Sequence, residues 1–147
     1  MRNMLVAVDG SEYSNAAVRV AAEPVRQHGA ASLTLLNVIE VVSSDVGVVE
    51  LPGSPRDPEA WAIFAKPREI LAAAGIQPRL LLREGDPANE IVQAAKAGGY
   101  DLIVVGHRGL SPIKAFLLGS VSDRVVSHAP CSVLVVRPGL EAKASTS

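Results

Sequence analysis

The sequence predicts an α/β fold: one doubly wound, five-stranded parallel sheet with helices on both faces, Rossmann-like, in the order 3-2-1-4-5. Three observations carry this. Short aliphatic runs alternate with longer helical patterns along the 147 residues, and such alternation implies an open parallel sheet. Hydrophobic residues make up 48% of the chain but aromatics only 3%, as expected of aliphatic strands packed under helices. Right-handed crossovers then leave only a few doubly wound strand orders.

Five runs read as strands: residues 4–8, 33–38, 79–82, 102–105 and 133–136. Each is short, apolar on both faces and bounded by turn residues or charge, the pattern of a parallel strand covered on both sides. Four helices fit between them. The first covers about 14–28, with Ala17, Val20, Ala21, Pro24 and Val25 on its apolar face. Gly29 is its stop, and Pro24 is expected to kink or shorten it. The second covers about 58–74 and should bend or split at Pro67, with Trp61, Phe64, Ile70 and Leu71 buried. The third, 87–97, has Asp86 as N-cap, Pro87 at its first position and Glu90 just inside, a well-signalled start. The fourth opens at Gly119-Ser120 and ends near His128, with a shorter helical turn expected around 112–117. Residues 40–57, rich in Ser, Gly and Pro, read as a long surface loop, and 139–147 as a disordered polar tail. The domain is thus expected to span 1–138.

Bulk properties exclude several functions. The formal net charge of -1 provides no global field for nucleic acid or an anionic membrane. The single cysteine, Cys131, allows no internal disulfide and opens an apolar run, which suits a buried thiol in a reducing compartment. No apolar run is long enough to cross a bilayer, and the N-terminal run is too short for a signal-peptide core. A cytoplasmic protein is expected. There is no Gly-x4-Gly-Lys-Ser/Thr loop and no Gly-x-Gly-x-x-Gly after the first strand, which argues against P-loop and dinucleotide sites. His28, His107 and His128 lack metal-ligand spacing. His107 reads as a solvated loop residue.

In a doubly wound sheet, ligands bind beyond the carboxyl ends of the strands where strand order reverses. That rule points to Asp9 after the first strand and Gly106 after the fourth. The segment Val104-Val105-Gly106-His107-Arg108-Gly109, nine intervening residues, and Gly119-Ser120-Val121-Ser122 carries the chemistry. Gly106 and Gly109 permit unusual backbone conformations and close approach of a ligand. Arg108 supplies a fork of donors suited to phosphate. Gly119 and Ser120 open a helix whose free amides and dipole favour an anion, and Ser120 and Ser122 add hydroxyls. Each residue also has a purely structural use. The glycines can be turn residues, Ser120 and Asp123 have capping-box spacing, Asp9 can form an Asx-turn, and Val38 can be core.

The spacing Gly-x2-Gly-x9-Gly-Ser, at Gly106, Gly109, Gly119 and Ser120, resembles the nucleotide motif of the ATP-binding universal stress proteins. The likeness extends to Leu5-Val6-Ala7-Val8-Asp9-Gly10-Ser11, to Leu35-Leu36-Asn37-Val38-Ile39, and to Pro130-Cys131-Ser132-Val133-Leu134-Val135-Val136. It implies that Asp9 contacts the adenosine end and that Val38 lines the adenine slot. Val105, Gly106, Arg108 and Gly109 would hold ribose and phosphates, and Gly119, Ser120, Val121 and Ser122 would cradle the phosphates. Ala7 stands where some members have proline. The implied ligand is ATP, with or without Mg2+, while AMP and cyclic AMP stay open because a sequence does not count phosphates. The resemblance also implies a homodimer formed through the last strand, from Val133 to Val136. Three functions follow as expectations: a nucleotide-binding stress or signalling module with little or no hydrolysis, a slow ATPase or nucleotidyl transferase, or a dimeric interaction protein with an empty site.

Overall fold

The computed structural model describes residues 3–29, 32–40, 42–44, 47–49, 58–108 and 119–138. Its main sheet contains β1 (Asn3–Ala7), β2 (Ser32–Glu40), β5 (Arg79–Gly85), β6 (Leu102–Gly106) and β7 (Ser132–Val136). They lie in the order β5-β2-β1-β6-β7, and all neighbouring pairs are parallel. Counting only these strands, the order is the expected 3-2-1-4-5. The chain builds outward from β1 to β5, then crosses back to the other side of β1 for β6 and β7. The reversal therefore falls between β1 and β6.

Strand alternation divides the core into two layers. Met4 and Val6 of β1 and Val8 just after it, with Leu33, Leu35, Leu102 and Val104, pack with α1 (Glu12–His28) and with Phe64 and Leu71. Leu5, Leu36, Ile103 and Val105 pack on the opposite face with α3 (Pro87–Gly98) and α4 (Ser120–His128). Successive side chains of a strand point to opposite faces, so one aliphatic run serves both layers and needs no polar side. The many alanines of α1 and α3, including Ala17, Ala21, Ala94 and Ala95, are buried and let these helices lie close on the sheet.

The helix boundaries show local chemistry at work. Ser11 caps α1 by accepting from the Ser14 amide, and Gly29 ends it in the left-handed conformation, which glycine adopts at little cost. α1 runs to His28 with Pro24 inside it, against the expected shortening. Pro24 is exposed rather than on the apolar face, so the carbonyl it leaves unpaired one turn back can be met by water. Asp86 caps α3 through the Asn89 amide, with Pro87 in the first turn. The second helical segment is split as expected, but earlier than Pro67: a 3-10 helix, Pro58–Phe64, is followed by α2, Ala65–Ala73. Pro67 then falls in the first turn of α2, where its missing N–H has no intrahelical partner to lose. Phe64 and Leu71 are buried, but Trp61 is 39% exposed. It lies against Phe64, ring centroids 5.7 Å apart, at the edge of the core rather than within it.

The expected loop at 40–57 holds a two-stranded antiparallel hairpin, β3 (Val42–Ser44) with β4 (Gly47–Val49). Strands this short have too few residues to show a period. The remainder of that loop, Gly109, the turn expected at 112–117 and the tail 139–147 lie outside the described residues. Among the described residues no helix is long and apolar enough to cross a membrane.

Candidate functional site

A cavity of about 310 Å³ opens at the carboxyl ends of β1, β2 and β6, where the strand order reverses. Its volume lies at the lower end of the ~300–1,000 Å³ typical of small-molecule sites. Ala7, Asp9, Val38, Val105, Gly106, Arg108, Gly119, Ser120, Val121 and Ser122 all line it. These are the site residues expected from the sequence, apart from Gly109, which is outside the described residues.

Each wall has a local cause. On the β1 side, Asp9 closes a tight turn into α1. Its Oδ1 accepts from the Ser11 amide at 2.9 Å and from the Ser11 hydroxyl at 2.5 Å. The first contact is the Asx-turn that an aspartate makes two residues before its partner. The Ser14 hydroxyl accepts from the Asp9 amide at 3.3 Å and donates to the Ser11 carbonyl at 3.0 Å. The Asp9 carboxylate therefore has a structural task at Oδ1, while Oδ2 carries no hydrogen bond among the described residues.

On the β6 side, Gly106 acts through close approach rather than through an unusual backbone angle. Its φ is not positive, but a Cβ there would stand 2.7 Å from the carbonyl carbon and oxygen of Tyr13. Only a glycine lets the first turn of α1 settle onto the end of β6. The next residue, His107, is buried, contrary to the expected solvated position. Its amide donates to the Val136 carbonyl at 2.7 Å, and its carbonyl accepts from the Gly119 amide at 2.9 Å. The residue thus joins the ends of β6 and β7 to the start of α4, which draws its ring inward. Burial first, then the positive charges of Arg137 and Arg108, hold the imidazole below its ordinary pKa of 6.5.

α4 begins at Gly119, whose position makes no side-chain capping hydrogen bond. The capping box suggested by Ser120 and Asp123 is not formed: Ser120 is already inside the helix, and Asp123 is exposed and does not line the cavity. The Ser122 hydroxyl donates to the Gly106 carbonyl at 2.7 Å. Ser122 therefore ties α4 to the end of β6. Ser120 is exposed, and its hydroxyl makes no hydrogen bond among the described residues.

Charge is divided across the cavity. Asp9 and Glu40 come from the β1 and β2 side, whereas Arg108 and the amino end of α4 come from the β6 side. The first-turn amides of a helix carry a partial positive charge, so this second side suits an anion. Arg108 stacks over Tyr13, its guanidinium carbon 4.9 Å from the ring centroid, and also donates to the phenol oxygen.

Val8, Ser14, Leu36, Asn37, Glu40, Pro87 and Ile91 also line the cavity, and sequence reasoning assigned none of them to the site. For Glu40 there was a signal: it follows Leu36 and Val38 at the two-residue spacing of one strand face. Asn37 is buried and donates to the Val8 carbonyl at 2.8 Å, joining β2 to the turn after β1. Pro87 and Ile91 enter because α3 passes over the end of β2, a long-range contact with no local signature. Cys131 is partly buried against the second core layer, and burial raises its thiol pKa. Among the described residues no group of three or more His, Cys, Asp or Glu is placed to hold a metal ion.

Fold and cavity together define a doubly wound α/β domain with an open crevice at its switch point. The chain belongs to the universal stress protein family, whose model matches residues 1–137. It is 37% identical over 145 residues to universal stress protein YxiE of Bacillus subtilis (strain 168), covering 91% of this chain and 97% of that protein. Among solved structures, universal stress protein UspA from Lactobacillus plantarum aligns with a TM-score of 0.73 at 27% identity, over 92% of this chain and 97% of that one. A universal stress protein crystallised in complex with cAMP aligns with a TM-score of 0.69 at 27% identity, over 92% and 95% of the two chains.

Proposed function

We propose that this protein binds an adenine nucleotide, ATP foremost, in the crevice between β1 and β6 and acts as a stress or signalling module with little or no hydrolysis. The observation that carries this is the cavity itself. It sits at the strand-order reversal and joins Val38 and Asp9 on one wall to Arg108, Gly119 and Ser120 on the other. The base would lie on the β1 and β2 side, and the phosphates would meet Arg108 and the first turn of α4. The structure in complex with cAMP supports the adenine assignment. Magnesium, where it takes part, would arrive on the phosphates, as Mg2+ is usually held by substrate phosphates and one or two carboxylates. Weak hydrolysis is in keeping with His107, which does not line the cavity and whose backbone is taken up in the junction of β6, β7 and α4.

The same reading extends to a cytoplasmic homodimer paired through β7. That strand is an edge of the sheet, and Leu134 on it is 41% exposed. An apolar edge of this kind favours pairing with a second copy. The experiment that tests the function is equilibrium binding of ATP, AMP and cyclic AMP to nucleotide-free protein, with phosphate release followed in parallel. Saturable binding of at least one ligand with negligible release is expected. Rapid release that is lost in a Gly119 variant would make the protein an enzyme instead.

A further inference from the structure

Tyr13 lies in the first turn of α1 and is not part of the cavity wall, yet it is joined to that wall twice. Its backbone rests against Gly106, where an added Cβ would stand 2.7 Å from it. Its side chain meets Arg108, which stacks over the ring at 4.9 Å and donates from Nη2 to the phenol oxygen. Gly106 and Arg108 both line the cavity. The close glycine contact fixes where the tyrosine stands, and the tyrosine in turn fixes the guanidinium.

The physical consequence concerns cost. A free arginine side chain loses rotamer freedom when it grips an anion, and that loss weakens binding. A guanidinium already held against a ring has lost part of that freedom before the ligand arrives. The contact with Tyr13 engages one ring face and one of the guanidinium's five N–H donors. Resting on the reading that the cavity takes an adenine nucleotide, we propose that Tyr13 is a positioning residue that holds Arg108 for the phosphate end and so sets the preference for phosphorylated adenosine over adenosine.

The test is titration of ATP and of adenosine into wild type, Tyr13→Phe, Tyr13→Leu, Arg108→Ala and the Tyr13→Leu/Arg108→Ala pair, with circular dichroism to establish that each is folded. Tyr13→Leu should weaken ATP about three- to ten-fold, the range expected from freeing one long side chain, and leave adenosine unchanged. Tyr13→Phe keeps the ring and should lose less. In the Arg108→Ala background the tyrosine should no longer matter. An unchanged ratio of ATP to adenosine affinity in Tyr13→Leu would overturn the proposal. So would equal losses for both ligands, which mark a merely structural residue, or tighter ATP binding, which marks a latch. If Tyr13→Leu does not fold, Tyr13→Phe decides by the same ratio. Wild type that binds neither ligand removes the nucleotide reading and this proposal with it, whereas wild-type binding with an unmoved ratio removes this proposal alone.

Discussion

α1 and α4 both begin beside the crevice, and they begin differently. The start of α1 is satisfied from within. Ser11 accepts from the Ser14 amide, Asp9 accepts from Ser11, and the Ser14 hydroxyl bonds to the backbone on both sides of the turn. The start of α4 has Gly119 as its cap and no side-chain hydrogen bond. The first amides of a helix lack intrahelical acceptors, and a serine or aspartate cap contributes about 1 kcal/mol by meeting one of them. At α1 that stabilisation is taken by the protein. At α4 it is left unused, on the wall that also carries Arg108. Nearly equivalent pieces of backbone thus differ: one start is capped by the protein's own side chains, and the other is not.

The comparison can be broken at Gly106, where the two regions meet. Gly106→Val should produce the largest effect, about 1–3 kcal/mol of lost stability, because the new side chain meets the Tyr13 backbone rather than a yielding side chain. Urea unfolding measures it, and a neutral result would show that α1 does not depend on this contact. Serine substitutions at the two helix starts sharpen the contrast. Ser11→Ala should cost about 1 kcal/mol of stability through the lost cap, with ATP affinity little changed. Ser120→Ala should leave stability within about 0.5 kcal/mol, as for an exposed position, and weaken ATP a few-fold. If both variants fall in stability alone, the two helix starts do the same job.

The smallest effect expected is a pH dependence at the junction between the regions. His107 is held below 6.5 by burial and by Arg137 and Arg108, so the folded protein favours the neutral ring. A group depressed on folding contributes stability that is complete above its unfolded pKa. That contribution falls as pH drops through 6.5 toward the depressed value. His107→Gln should flatten the stability profile between about pH 7 and 5. A profile of equal slope in the variant would place the titration elsewhere. The exposed pair Asp86–Arg124, 2.9 Å apart, keeps the Asp86 carboxyl below its usual range through that hydrogen bond. Its contribution is lost only at more acidic pH and does not overlap with the histidine.

Much of this was legible in the sequence, and the limits are physical. The five strands announced themselves because a strand covered on both faces must be apolar throughout, as Leu102, Ile103, Val104 and Val105 are. Asp86-Pro87 and Gly29 marked helix ends because their conformational preferences act locally. The switch-point rule found the crevice, since it depends on strand order alone. What stayed hidden depends on contacts between distant segments. Gly106 looked like a turn residue, but its smallness is required by Tyr13 on another element. His107 looked solvated because its burial comes from β7 and α4. The acceptor of the Ser122 hydroxyl, the Gly106 carbonyl, lies on another element. Asn37, Pro87 and Ile91 reach the cavity only after the sheet has formed.

The central claim is that the uncapped start of α4 and the crevice in front of it are a nucleotide site. Titration calorimetry of ATP with magnesium into nucleotide-free wild type and into Gly119→Val tests it most directly, because Gly119 is buried, lines the cavity and opens α4. The account predicts near-stoichiometric, micromolar binding by wild type and at least about tenfold weaker binding by the folded variant, a difference of about 1.4 kcal/mol. No heat at millimolar ATP, or equal affinity in both proteins, would contradict it.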